Sequence, residues 1–210
     1  MSGDPRGCRL CSRLVEYRRE QQSRYPDYFN RPVPGCGAAD SRLLIVGLAP
    51  GLHGANASGV PFSGDSSGEL LFAALHDSGF ATPASEAVGG EWARMQACRI
   101  TNAVKCVPPQ NRPVAGEINA CNRFLRAEIA ALPAGAVLLA LGGVAHRAIL
   151  KALDLRAGGF QFRHAAEFAL PNGMLLVDSY HPSRYKQNTG RLTAAMLARV
   201  IDRIGSLLHG

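Results

Sequence analysis

With 210 residues, 47% hydrophobic and 19% charged, the chain has the length and composition of one globular domain, 1–210, whose core needs no disulfide or metal to exist. Its 23 Lys and Arg against 16 Asp and Glu leave a formal charge of +7. The excess is almost all arginine, the side chain suited to bidentate phosphate contacts, so the balance favours nucleic acid ahead of a small anion. No apolar run reaches the about 18 residues of a membrane span, and no membrane partner is expected. The start, Met1-Ser-Gly-Asp-Pro, lacks the basic and apolar regions of a signal peptide. A reducing, cytoplasmic setting is therefore expected, with the cysteines at 8, 11, 36, 98, 106 and 121 as ligands or inert thiols rather than disulfides.

In chain order, residues 10–25 read as a charged helix ended by Pro26, Pro32, Pro34 and Gly35. Residues 42–48, RLLIVGL, form a short β-branched run typical of a buried parallel strand. A Gly/Ser/Asn-rich loop fills 49–67, and a helix is predicted over 68–78. Strands are predicted at 98–102, 136–141 and 174–178, with a weaker one at 164–170. Helices are predicted at 115–132, 144–153 and 189–208. Alternating strands and helices imply α/β class, a parallel sheet covered on both faces. Ligands of such sheets bind at the carboxyl ends of the strands, which selects residues 47–65, 102–112 and 179–188.

In the first of these loops, Gly47, Gly51, Gly54, Gly59 and Gly64 let backbone approach a ligand, although neither a Walker sequence nor GxGxxG is present. Phe62 either offers a ring face for stacking or plugs the loop onto the core. Asp65 precedes Ser66 and Glu69, which together read as a capping box, so an acid there has a structural reason as well as a chemical one. In the second loop, Asn102 carries a donor and an acceptor side by side, matching a nucleobase edge, or else satisfies local backbone. In the third, His181 follows a strand directly and is stiffened by Pro182. His53 is a weaker candidate, and His76, His146, His164 and His209 carry no signal.

Cys8-x2-Cys11, Cys106 and, after fourteen intervening residues, Cys121 combine with GLAPG at 47–51, PFSGD at 61–65, TNAVKCVPP at 101–109 and HPS at 181–183. The set resembles the iron–sulfur uracil-DNA glycosylases, and more closely their type-b branch, family 5. The motifs keep the family's order from Cys8 to about Arg191. The resemblance implies a three-layer α/β/α sandwich with a central four-stranded parallel sheet. It also implies a structural [4Fe–4S] cluster on Cys8, Cys11, Cys106 and Cys121. Taken alone, four thiolates suit such a cluster or zinc, and their spacing fits neither ferredoxin pattern. Cys36 and Cys98 fall outside the motif.

By this resemblance the protein is a monofunctional hydrolase of base excision repair in a bacterial cytoplasm, at the nucleoid. It would cleave the N-glycosidic bond of uracil flipped out of DNA and leave an abasic site. His181 would donate to a carbonyl oxygen of the departing base, Asn102 would pair with its imide edge, and Phe62 would stack on it beside Gly47. Gly51, His53, Ser183, Arg184, Lys186 and Arg191 would contact DNA, and Tyr185 is the candidate wedge. Other branches of the superfamily carry a polar side chain in the first motif, where this chain reads Gly47-Leu-Ala-Pro50, and Asp65 stands as the replacement carboxylate. Action on hydroxymethyluracil, ethenocytosine or hypoxanthine is expected as well, and a monomer suffices. Two competing readings are a non-enzymatic nucleic-acid-binding protein with a four-Cys zinc site and a redox carrier. The first leaves Phe62, Asp65, Asn102 and His181 unexplained, and the second needs no glycine-rich loops.

Overall fold

The computed structural model describes residues 4–82 and 95–209. Its centre is a sheet of order β2-β1-β3-β5-β4, built from β1 (Leu43–Gly47), β2 (Cys98–Asn102), β3 (Val137–Leu141), β4 (Glu167–Ala169) and β5 (Leu175–Ser179). The first, second, third and fifth strands run parallel, with Gly47 opposite Asn102 and Leu141 opposite Ser179. Every residue of β1 and β3 is buried, because both faces of these strands are covered.

Alternation along the strands sorts the core into two halves. Leu43, Ile45, Val137, Leu139 and Val177 face α3 (Ser66–Asp77) and α7 (Ala194–His209). Leu44, Val46, Leu138, Ala140 and Leu176 face α4 (Ala115–Ala130) and α5 (Gly143–Ala152). On α7 the buried positions Leu197, Val200, Ile201, Ile204 and Leu208 follow the helical period, and each such side chain contributes about 1.5–3 kcal/mol on burial. A third, smaller cluster lies off the sheet, where α1 (Ser12–Arg24) meets α4 and the chain after β2. It joins Leu14, Val104, Cys106, Cys121 and Phe124, with Cys8 and Cys11 packed against it. Two short α-helices, α2 (Ala55–Ser58) and α6 (Arg184–Asn188), lie on the loops after β1 and β5.

The α/β/α layering agrees with the sequence expectation, and the sheet differs from it in one strand. The weak strand foreseen at 164–170 is β4, which pairs antiparallel with β5 and makes the sheet five-stranded. Asn172-Gly173 supplies the turn, with Gly173 at φ +79°, and closes a hairpin that allows only the antiparallel direction. The helix foreseen over 189–208 is α7, which starts later, at Ala194: Gly190 adopts φ +68° in the turn that follows α6. The capping box foreseen from Ser66 and Glu69 is replaced by Asp65 as N-cap, whose Oδ1 accepts from Ser67 N and Gly68 N at 2.9 Å each. Among the described residues no helix is long and apolar enough to cross a membrane.

Candidate active site

The carboxyl edge of the parallel strands carries the candidate residues because each strand hands its chain to a loop there. β1 ends at Gly47 and β2 at Asn102, directly opposite it in the ladder. A Cβ at Gly47 would collide with Asn102 Oδ1 and with the ring of Phe62, so only glycine lets the amide and the ring close over this strand end. Asn102 is buried, and its side-chain amide has no hydrogen-bond partner among the described residues.

Phe62 sits at φ +61°, a conformation non-glycine residues rarely adopt. It is held there because its own carbonyl backs onto the N-terminus of α3, where Gly68 leaves no room for a side chain. The ring is buried in the α3/α7 core and stacks with His181, centroids 5.9 Å apart and planes 26° apart. Phe62 thus plugs the loop onto the core and lays its ring against His181.

His181 follows β5. Burial pushes its pKa down to about 4, while the charge of Asp65 pulls the other way without overcoming it. The imidazole is neutral at physiological pH. Asp65 spends Oδ1 on capping α3 and keeps Oδ2 toward the glycine loop, where a Cβ on Gly51 or on Gly54 would stand 3.4 Å from it. One oxygen of the carboxylate thus stabilises its helix, and the other lies against the glycine loop.

The remaining DNA-contact candidates ring this edge. Ser183 begins α6, and Arg184, Lys186 and Tyr185 lie on it. Tyr185 is 66% exposed, and Lys186 Nζ lies 5.5 Å from the ring of Tyr180. Arg191 is exposed beyond α6. His53 is exposed on the glycine loop, where the hydroxyl of Tyr28 hydrogen-bonds its Nδ1 at 3.1 Å and Tyr25 meets it edge-on.

Three groups escaped sequence reasoning. Gln187 Nε2 donates to Ser66 O at 3.1 Å and Pro182 O at 2.7 Å, fastening α6 to the start of the helix that Asp65 caps. His146, which gave no signal in sequence, is buried on α5 with Nδ1 2.8 Å from Asp178 and Nε2 2.9 Å from the Phe160 carbonyl. Both nitrogens face acceptors, so the ring holds two protons. Burial works against that charge, but the hydrogen bond and charge of Asp178, with the Phe160 carbonyl, prevail and raise the pKa. The pair clamps β5 three residues before His181. Lys105 is fully buried between Asn102 and Cys106, with Nζ 2.6 Å from Glu128 and a further bond to Thr101. Only its position on a strand-end loop, next to a cysteine, marked it in sequence.

Cys8, Cys11, Cys106 and Cys121 line one small cavity, and Lys105 N donates to Cys121 Sγ at 3.2 Å. Arg13 bridges α1 to α4 through a two-point contact with Glu117 at 2.7 and 2.8 Å, which holds the two cysteine-bearing segments together. Burial pushes Cys106 up to about 12 and Cys121 up to about 11. Buried this way, the thiols ionise only against a cation that they bind. Among the described residues no group of three or more His, Cys, Asp or Glu is arranged around the point a single metal ion would occupy. Cys98 is a buried core thiol that donates to Phe80 O.

In its layering and its functional edge, this is an α/β protein of the open parallel-sheet class, with acid, imidazole, amide and aromatic groups gathered at the strand ends. The chain belongs to the uracil DNA glycosylase superfamily, whose model matches residues 34–205. It is 43% identical over 199 residues to a type-5 uracil-DNA glycosylase of Thermus thermophilus, covering 92% of this chain and 90% of that one. A type-5 uracil-DNA glycosylase of Pyrobaculum aerophilum is 40% identical over 200 residues, covering 93% and 87%. A type-4 uracil-DNA glycosylase of Thermotoga maritima is 35% identical over 135 residues, covering 63% and 62%. The crystal structure of Pedobacter heparinus SMUG2 shares the fold with a TM-score of 0.50 at 13% identity, covering 93% of this chain and 85% of that one.

Proposed function

We propose that the protein is a type-5 uracil-DNA glycosylase that hydrolyses the N-glycosidic bond of uracil flipped out of DNA and leaves an abasic site. The observation that carries the reading is His181, held neutral by burial, stacked on Phe62 and facing a carboxylate with one oxygen uncommitted. Relatives of the type-5 name align over nine-tenths of the chain, which supports the same assignment.

The chemistry needs opposite charges on its two sides. As the glycosidic bond breaks, its electron pair leaves with the base and the sugar becomes oxocarbenium-like. A neutral His181 donates its N–H to a carbonyl oxygen of the base and stabilises the departing anion without itself giving up charge. Asn102, whose amide is unpaired by the protein, takes the imide edge, and Phe62 carries the base on its ring. Asp65 Oδ2 faces the sugar cation and orients the water, whose oxygen bonds the anomeric carbon as its proton passes to the carboxylate and from there, through solvent, to the base anion. Tyr185, exposed on α6, fills the gap left in the stack, and His53, Ser183, Arg184, Lys186 and Arg191 hold phosphates. Hydroxymethyluracil, ethenocytosine and hypoxanthine are further substrates.

The donor set at the cysteine cavity is what supports a [4Fe–4S] cluster: four cysteine thiols line it, and such clusters are held by four thiolates. Cys8, Cys11, Cys106 and Cys121 would be its ligands, and when bound it serves as a structural tie. What the chain itself does there is plain: α1, α4 and the segment after Asn102 are drawn to one place. A monomer in a cytoplasmic setting suffices for this activity. The deciding experiment incubates the purified protein with a uracil-containing duplex and then treats it with alkali. A strand break at the uracil is expected, and an intact strand would overturn the reading.

A further inference from the structure

Away from the strand-end pocket, Arg18 and Arg19 on α1 face Arg6, Arg9 and Arg31 across a cleft that Asn30 also lines. Arg6 is paired with Asp4 at 2.8 Å, but among the described residues Arg9, Arg18, Arg19 and Arg31 make no salt bridge. The acids of the same helix, Glu16 and Glu20, lie outside the cleft. Like charges gathered in a depression repel, and the repulsion is relieved when an anion sits among them. Arg18 adds a more local sign. Its Nη2 donates to the Cys8 carbonyl at 3.2 Å, while its buried Nε has no partner. A buried donor left without an acceptor is costly.

The cleft is continuous with the proposed catalytic loop. Asn30 accepts from Asn56 Nδ2 at 2.8 Å, and its N–H donates to Asn56 O at 3.2 Å. Phe29 N donates to Ala57 O at 2.9 Å. Asn56 and Ala57 belong to α2, which starts next to Gly54, the glycine facing Asp65. One wall therefore separates the arginines from the pocket.

We propose that this cleft is a second phosphate-binding site, which takes the DNA backbone beyond the nucleotide held at the strand ends. The inference rests on the glycosylase reading and extends it. Arginine suits the role because its fork pairs with two phosphate oxygens at once. Since Arg18 also lines the cysteine cavity, backbone bound in the cleft lies against the segment that carries Cys8.

The test uses the full chain with Arg9, Arg19 and Arg31 changed together to Gln. Arg18 is left in place because it also packs at the cysteines. A second triple, R42Q/R156Q/R203Q, removes the same charge from exposed positions that do not line this cleft. Binding to uracil-containing duplexes is measured by fluorescence anisotropy against salt, together with excision at saturating enzyme. The cleft triple is expected to weaken binding at least tenfold and to flatten the log–log salt slope by about 2 to 3, since each phosphate no longer neutralised takes about 0.9 from the slope. Its single-turnover rate is expected to match the wild type, and the second triple is expected to bind normally.

Lengthening the duplex on one side of the uracil should raise affinity in the wild type and not in the cleft triple. A length-independent loss would show that the cleft takes a free phosphate rather than a DNA strand, and would overturn the proposal. So would equal slopes in wild type and cleft triple, or equal losses in both triples. If the wild type itself fails to cut uracil DNA, it is the glycosylase reading that falls.

Discussion

The ring of Phe62 stacks against that of His181, centroids 5.9 Å apart, although the two residues stand far apart in the chain. Phe62 reaches the contact from a strained loop at φ +61°, and His181 reaches it from the end of β5. Their stacking joins the first and last strand-end loops. The environment that stacks the imidazole also strips it of water, so its ionisation is where the pocket should be most visible in solution.

His181 has a folded pKa of about 4 against 6.5 for the unfolded side chain. Between these values the unfolded chain binds the extra proton, so this residue's effect is to lower stability as pH falls from about 6.5 toward 4. Urea midpoints across this range should fall with pH, and less steeply in His181→Asn. An equal slope in the variant would show that another group is responsible. Excision by the wild type should show no inflection from His181 between pH 8 and pH 6.

Asp65→Asn keeps an oxygen for Ser67 N and Gly68 N, so the cap on α3 should survive with thermal stability close to wild type. DNA affinity should also persist, while excision falls by about 100-fold or more with the loss of the charge. Asp65→Ala should in addition lose about 1 kcal/mol from the missing cap. Single-turnover kinetics and thermal melts of the two variants separate the two roles. Near-normal excision by Asp65→Asn would exclude the catalytic one.

Gly47→Ala places a methyl group against Phe62 Cε2 and Cζ, each 2.6 Å from the new carbon, and against the Asn102 amide. Phe62 or Asn102 must shift, so excision should drop by about tenfold or more, as expected when positioning groups are displaced. Comparing kcat with KM locates the damage, and Gly51→Ala, with only an ordinary 3.4 Å contact, serves as the milder control.

His146 and Asp178 form a buried pair, so Asp178→Asn should cost about 3–5 kcal/mol by leaving a buried imidazolium without its counter-charge. The folded pKa of His146 is raised, and its contribution is therefore fully present below pH 6.5 and lost as pH rises through the folded value. Denaturant melts from pH 6 to pH 9 should show that loss in the wild type. In His146→Gln the slope should be absent.

Cys106→Ser should remove iron and sulfide from the purified protein and loosen the segment that follows Asn102, raising KM more than it lowers kcat. Metal analysis and visible absorption follow the first effect, and steady-state kinetics the second. A variant that keeps full iron content would exclude Cys106 as a ligand.

The sequence by itself determined the layers and the strand ends. Runs such as LLIVG and VLLAL are buried on both faces because they contain nothing polar, and glycine-rich loops after them mark the functional edge. Asn102 and His181 drew notice because they stand at or just beyond the end of such a run, whereas Asp65, far along the loop after β1, was singled out by the family resemblance. The direction of β4 and the late start of α7 were not foreseen, since each depends on a single glycine adopting a positive φ, at Gly173 and Gly190. Tertiary structure alone decided what each polar group meets. His146 carried no sequence signal because its partner, Asp178, lies 32 residues away on a different element. Gln187 gained meaning only from a carbonyl 121 positions earlier. Periodicity records which face of an element is apolar, and it holds no record of which distant chain that face is pressed against. The protonation of His181 and the gathering of arginines around one cleft depend on that pressing together.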